Sequence, residues 1–149
     1  MSDHYPNASL LRRAAAIFYD TFLVVAIWML STILLVALVS DGEEVRGLLF
    51  QLFLYIELLA FYYVFWRIKG QTLGMQVWKI KVVNADNEVM TEKQCLVRFL
   101  LATLTLVPLG VGYLWGIFRR DNLTLYDQLS NTKVIYVGQR PYPSEERSR

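Results

Sequence analysis

The chain has 149 residues, 55% of them apolar and 19% charged, with a formal net charge of +2 and a positive mean hydropathy. That length suits one domain, the apolar share points to a membrane protein, and the near-neutral charge offers no basic surface for nucleic acid. The single cysteine, Cys95, can form no internal disulfide, and the single histidine, His4, sits in a polar arm. No cluster has metal-ligand spacing, so neither a metal nor a cofactor is expected.

Residues 1–9 read as a polar N-terminal arm. A first helix is predicted over residues 10–40, opened by Arg12 and Arg13, with Asp20 inside it. The 20 residues from Thr21 to Ser40 carry no charge. As a helix they reach about 30 Å, the thickness of a bilayer's hydrocarbon core. The run is too long, and lacks the small-x-small site, for a cleavable signal peptide, so the span is expected to be retained. Arg13 and Asp20 are seven residues apart and fall on nearly the same helix face, about 10 Å apart along the axis. An ion pair between them requires both side chains extended, or a third group in between.

After the acidic stretch Ser40–Glu44, a second helix is predicted over residues 48–66. Glu57 is at its middle, and aromatics crowd its second half, where a helix reaches the headgroups. A bare charge at that depth costs about 2.5–3.5 kcal/mol. Glu57 is therefore expected protonated, or facing Gln51, Thr32, Ser31 or another copy of the chain. Gly70, Gln71, Thr72 and Gly74 read as a structural turn, with two glycines free for positive φ and Thr72 able to cap a helix.

Val77 to Val83 alternates like a half-buried strand, and Glu88 to Met90 can return after the Asn84–Asn87 turn, so residues 77–90 are expected to form a β-hairpin. Thr91 with Gln94 is a capping box that opens the next helix. The third apolar region, residues 95–118, holds Arg98 near its start and is broken at Pro108–Gly112. Residues 133–137 are a further strand and 138–149 a polar tail.

The third region either crosses the membrane or turns back. A crossing splits the 15 Lys and Arg residues eight against seven; a turn-back leaves 14 of them on one side. The positive-inside rule prefers the re-entrant hairpin. It also lets strand 133–137 pair with the strand near residue 80 instead of standing alone. The fold class expected is an all-α membrane protein with a small cytoplasmic β element. It has two transmembrane helices plus a Pro/Gly-broken third region, for which a re-entrant hairpin is preferred to a full span.

The segments RRAAAIFYD, KGQTLGMQVWKIKVVNADNE and RRDNLTLYDQLSNTKVI together resemble the RDD family of bacterial membrane proteins, over about residues 11–137. The family is named for one arginine and two aspartates, which the resemblance assigns to Arg13, Asp20 and Asp127; Glu57 is outside its pattern. Some members are linked to cation/proton antiport, while others look like scaffolds for membrane complexes.

Two functions follow as expectations. In the first, an oligomer moves a cation (Na⁺ or K⁺) or H⁺ through Arg13, Asp20 and Asp127 at the cytoplasmic membrane boundary, with Glu57 as an intramembrane proton site. Two carboxylates crowded beside one arginine raise one pKa, which suits proton or monovalent-cation exchange. The alternative is a non-catalytic membrane adaptor or assembly factor that docks a partner, itself a membrane protein, through its cytoplasmic β-hairpin and loops. Structural use of the charges is the plainer alternative: Arg13 and Asp20 as a clamp, with Asp127 the natural third group between them, or Asp127 as a helix cap or turn residue. No enzyme is expected, because the only histidine is in a loose arm and no phosphate loop or nucleotide fingerprint is present. The expected location is the bacterial inner membrane, multi-pass, with the N-terminus cytoplasmic. Lys69, Lys79, Lys81, Arg119 and Arg120 would then face anionic headgroups.

Overall fold

The computed structural model describes residues 5–39, 44–106 and 110–138. His4, the stretch Ser40–Glu43, Pro108, Leu109 and most of the polar tail lie outside the described residues.

Helix α1 spans Leu10–Leu38 and begins at Ser9, whose side chain accepts from the Arg12 N–H. Helix α2 spans Leu48–Ile68. Both are long and apolar enough to cross a membrane, and only 6% of each apolar window is buried inside the protein. Phe22, Met29, Leu30 and Ile33 of α1 and Leu48, Leu49 and Ile56 of α2 point outward. An apolar surface of this extent suits lipid, not water. Between the helices the Trp28 indole donates to the Leu54 carbonyl at 3.0 Å, and the Ser31 hydroxyl to Glu57 Oε2 at 2.9 Å.

Past α2 the chain makes a short helix α3, Leu73–Val77, capped by Thr72, whose hydroxyl accepts from the Met75 N–H at 3.2 Å. Strand β1, Ile80–Asn84, follows. The expected return strand at Glu88–Met90 does not form. Asn84 Oδ1 instead accepts from the N–H groups of Asp86 and Glu88, closing the turn locally. The first residue of the expected hairpin, Val77, belongs to α3. The strand partner comes from the far end of the chain: β2, Thr132–Tyr136, runs antiparallel to β1 with Ile80 opposite Tyr136 and Asn84 opposite Thr132.

The N-terminal arm is part of the same assembly. The Tyr136 N–H donates to the Pro6 carbonyl and the Ala8 N–H to the Val134 carbonyl, each at 2.8 Å, so β2 is flanked on both sides. A polar reading of residues 1–9 missed this because the pairing uses backbone groups, to which side-chain polarity is blind.

Helix α4 spans Glu92–Leu106, and Thr91 and Gln94 make the capping contacts expected of them. It packs on α2, where Phe99 meets the rings of Tyr55 at 5.4 Å and Tyr62 at 6.2 Å. Helix α5, Val111–Leu114, and a 3₁₀ turn, Trp115–Phe118, follow. Gly110 enters α5 in the left-handed region, φ 69°. Gly112 lies so close to Thr105 that a Cβ would collide with it, so α5 packs directly on α4. Helix α6, Leu125–Leu129, leads into β2. The core sits beneath the sheet, where Ile80, Val82, Met90, Cys95, Phe99 and Val134 meet Ala16 of α1 and Trp66 of α2.

Candidate functional site: a buried arginine–aspartate cluster

Asp127 is the third residue of α6. It forms a capping box with Thr124, whose N–H donates to Asp127 Oδ2 at 3.0 Å. A second use is imposed by packing. Arg13 from α1 donates to Oδ2 and Arg98 from α4 to Oδ1, each at 2.5 Å. Arg98 also donates to the Thr132 hydroxyl at 2.6 Å, which ties the cluster to β2. Asp127 is fully buried and the two arginine side chains are 4% exposed. Burial raises the Asp127 pKa, but Arg98, Arg13 and the Thr124 N–H together outweigh it and hold the carboxyl below its ordinary value.

The Arg98 guanidinium lies over the rings of Tyr126, at 5.0 Å, and Trp66, at 5.4 Å. Its delocalised charge tolerates burial there better than an ammonium would. The neighbouring Arg12 turns outward and stacks on Tyr136 at 4.2 Å.

Asp20 has different partners. Its carboxylate accepts from the Thr72 hydroxyl at 2.5 Å and from the Gly74 N–H at 2.8 Å. The turn read from the sequence thus becomes a dock for α1. Gly74 is pressed against α1, so a Cβ there would strike the Ala16 carbonyl oxygen and approach Asp20 Oδ1 within 2.9 Å. Gly70 takes φ 67°, and Gln71 donates to the Ile80 carbonyl at 2.8 Å.

The expected Arg13–Asp20 ion pair does not form, and Asp20 and Asp127 do not share one site. Two helical turns separate Arg13 from Asp20, and each finds a nearer partner from another element. Both do border one cavity of about 200 Å³ between α1, α2 and α4, which Arg98 and Trp66 also line.

The family model that matches this chain is that of the RDD family, over residues 7–131. The chain belongs to the RDD family. No curated protein and no solved structure matches it.

In this RDD protein the matched region takes in α1 through α6, and so the whole cluster. Arg98 is the member that sequence reading missed. It looked like a topology charge at the head of an apolar region. The signal was present: no acid stands three or four residues from it on either side, so a buried arginine there had to find a distant counter-ion. Glu57 is remote from the cluster. Of the partners considered for it, Ser31 is the one that bonds it. Among the described residues no group of three metal-ligating side chains is found.

Proposed function

We propose that this RDD protein is a non-catalytic membrane adaptor, in which the charged cluster locks helix ends together and presents a small β surface to a partner. The observation that carries this is the double arginine grip on Asp127. A carboxylate that accepts from two guanidiniums and a backbone N–H is a fixed anion, poorly suited to trading protons or ligating a mobile cation. Asp20 is likewise engaged, by Thr72 and Gly74.

The proposal includes a topology. β1 precedes the third apolar region and β2 follows it, yet the two strands pair over five residues. The arm at Pro6–Ala8 joins the same sheet. A crossing between them would part these strands, so their pairing favours the re-entrant arrangement. It puts 14 of the 15 Lys and Arg residues on one face, which the positive-inside rule makes cytoplasmic, in the inner membrane of a bacterium. Cysteines placed at Gln139 and Glu43 should be labelled from opposite sides of the membrane; labelling from the same side overturns this topology.

Cation or proton transport is the second function, and Glu57 is the observation that favours it. A carboxyl in mid-helix, hydrogen-bonded to Ser31 across α1 and α2, is the sort of group proton pathways use. Two full spans enclose no path alone, so transport requires a homo-oligomer. Reconstituted protein assayed for pH-driven Na⁺ or K⁺ flux separates the two. The adaptor predicts no flux; flux diminished by Asp20→Asn or Glu57→Gln overturns it. A photo-crosslinker at Lys81 or Lys133 in native membranes should capture a discrete heterologous partner, and self-adducts alone count against docking.

A further inference from the structure

The cavity between α1, α2 and α4 has a volume of about 200 Å³, and its wall is almost entirely apolar. The charged residues on its border are engaged elsewhere: Arg13 and Arg98 with Asp127, and Asp20 with Thr72 and Gly74. The Thr103 hydroxyl donates to the Phe99 carbonyl at 2.9 Å and accepts from the Tyr55 hydroxyl at 3.3 Å. Most of the lining is hydrocarbon, from Ala16 and Ile17 of α1, Leu58 of α2, and Phe99 and Ala102 of α4. Such a space stays dry, because water inside it lacks polar partners.

Its place in the fold points to what fills it. Helices α1 and α4 are joined through Asp127, gripped by Arg13 and Arg98, but away from that bridge α4 packs on α2 rather than on α1. The space between α1 and α4 therefore opens sideways, past Ile17, which lines it and is 38% exposed on a bilayer-length helix. Ile17 belongs to both surfaces, so the cavity wall is continuous with the apolar surface that suits lipid. An empty apolar space forfeits the packing contacts of its whole lining, and one of about 150 Å³ already takes a benzene-sized hydrocarbon. A helix of another protein, about 10 Å across, is too thick to enter. A single hydrocarbon chain is not. We propose that this cavity holds an acyl chain of a membrane lipid, which enters between α1 and α4.

The chain lies against Phe99 and Met75, beneath the protein surface, and supplies the packing that α1 and α4 do not give each other. Because the wall offers carbon, the site selects a flexible hydrocarbon chain and is indifferent to headgroup charge. The inference rests on α1 and α2 lying in a bilayer, and it holds for an adaptor and for a transporter alike.

The full chain in nanodiscs, with a phosphatidylcholine carrying a diazirine near the end of one acyl chain, tests the site by irradiation and mass-spectrometric mapping. Carbene adducts should appear on Phe99 and Met75, which are 4% and 9% exposed and so beyond the reach of lipid that merely surrounds the protein. They should appear as well on the outward-facing Phe22 and Leu30, which serve as the internal reference. Adducts confined to outward-facing residues overturn the proposal. Ala102→Phe, whose ring fills the cavity, should lose the adducts at Phe99 and Met75 and keep those at Phe22 and Leu30. Leu58→Phe, on another side of the cavity, makes the same test independently. Buried adducts that survive both variants report general penetration of the core and overturn the proposal too. A phosphatidylglycerol probe should give the same map; a map that changes with the headgroup overturns selection by the chain.

Discussion

One carboxylate organises the charges of this protein, and its loss should be severe. Asp127→Asn leaves Arg13 and Arg98 facing each other in the interior without a counter-charge. Breaking a buried ion pair from one side costs about 3–5 kcal/mol, so this variant should melt far lower in detergent, or fail to accumulate. The pH dependence follows from the same contacts. Because the folded carboxyl titrates below its ordinary value of 3.8, its contribution is fully present above that value and fades as pH falls through the folded pKa. Melting temperature should therefore be insensitive to this group from pH 5 to 8 and drop below about pH 4, a drop that an Asp127→Asn protein able to fold would lack. At Asp20 the matching change is Thr72→Val, which removes a buried donor and should cost about 1–3 kcal/mol. Thr72→Ser should be mild, since it keeps the hydroxyl. Arg13, Asp20 and Asp127 were all legible in the sequence as charges that need explaining. That Asp127 would come to Arg13 was legible too; that Asp20 would dock on Thr72 and Gly74 instead was not, because it depends on which elements meet. The same holds for Arg98, whose partner is 29 residues away.

At the scale of elements, periodicity identified what each stretch is more reliably than what it touches. The two long helices were plain from their apolar runs, and the ends of α1 and α2 fall within two residues of those expected. The hairpin at residues 77–90 was wrong because a strand's alternation fixes which face is buried and says nothing about which partner fills its edge. Val82 and Val83 pair with Val134 and Lys133, across the whole third apolar region. Within that region Gly112 of α5 lies close against Thr105 of α4. Gly112→Ala should consequently destabilise the protein by about 1–3 kcal/mol, the usual cost of overpacking. Thr105→Ala in the same chain should restore most of the loss, because it removes the atoms the new methyl would strike. A double-mutant cycle in thermal unfolding measures the coupling, and strictly additive losses would show that the two helices do not meet there.

For the molecule as a whole, two regions are held by different means. The outer parts of α1 and α2 present apolar side chains outward and make few cross-links, chiefly the Trp28 and Ser31 hydrogen bonds. The opposite end packs a sheet, four short or medium helices and the buried Arg13 and Arg98 into a small core. Lipid should stabilise the first and salt bridges the second. Hydrogen exchange in nanodiscs should show its slowest extramembrane amides in β1, β2 and the Pro6–Ala8 contacts, with Asp127→Asn releasing these while leaving the middle of α1 protected.

The grip on Asp127 also bears on the order in which the protein is made. Arg13 leaves the ribosome more than a hundred residues before its counter-ion, and Pro6 and Ala8 wait still longer for β2. Until then a bare guanidinium stands at the head of the first helix and is held at the aqueous boundary by the cost of drawing it further in. A stretch made much later closes the sheet that Pro6 and Ala8 border. A chain halted before Asp127 would carry two arginines unneutralised and a sheet with one strand, which marks it as unfinished to any protease that samples loose ends. Ribosome-arrested chains ending at Asp121 should thus be degraded rapidly, and those extending through Tyr136 should persist once released.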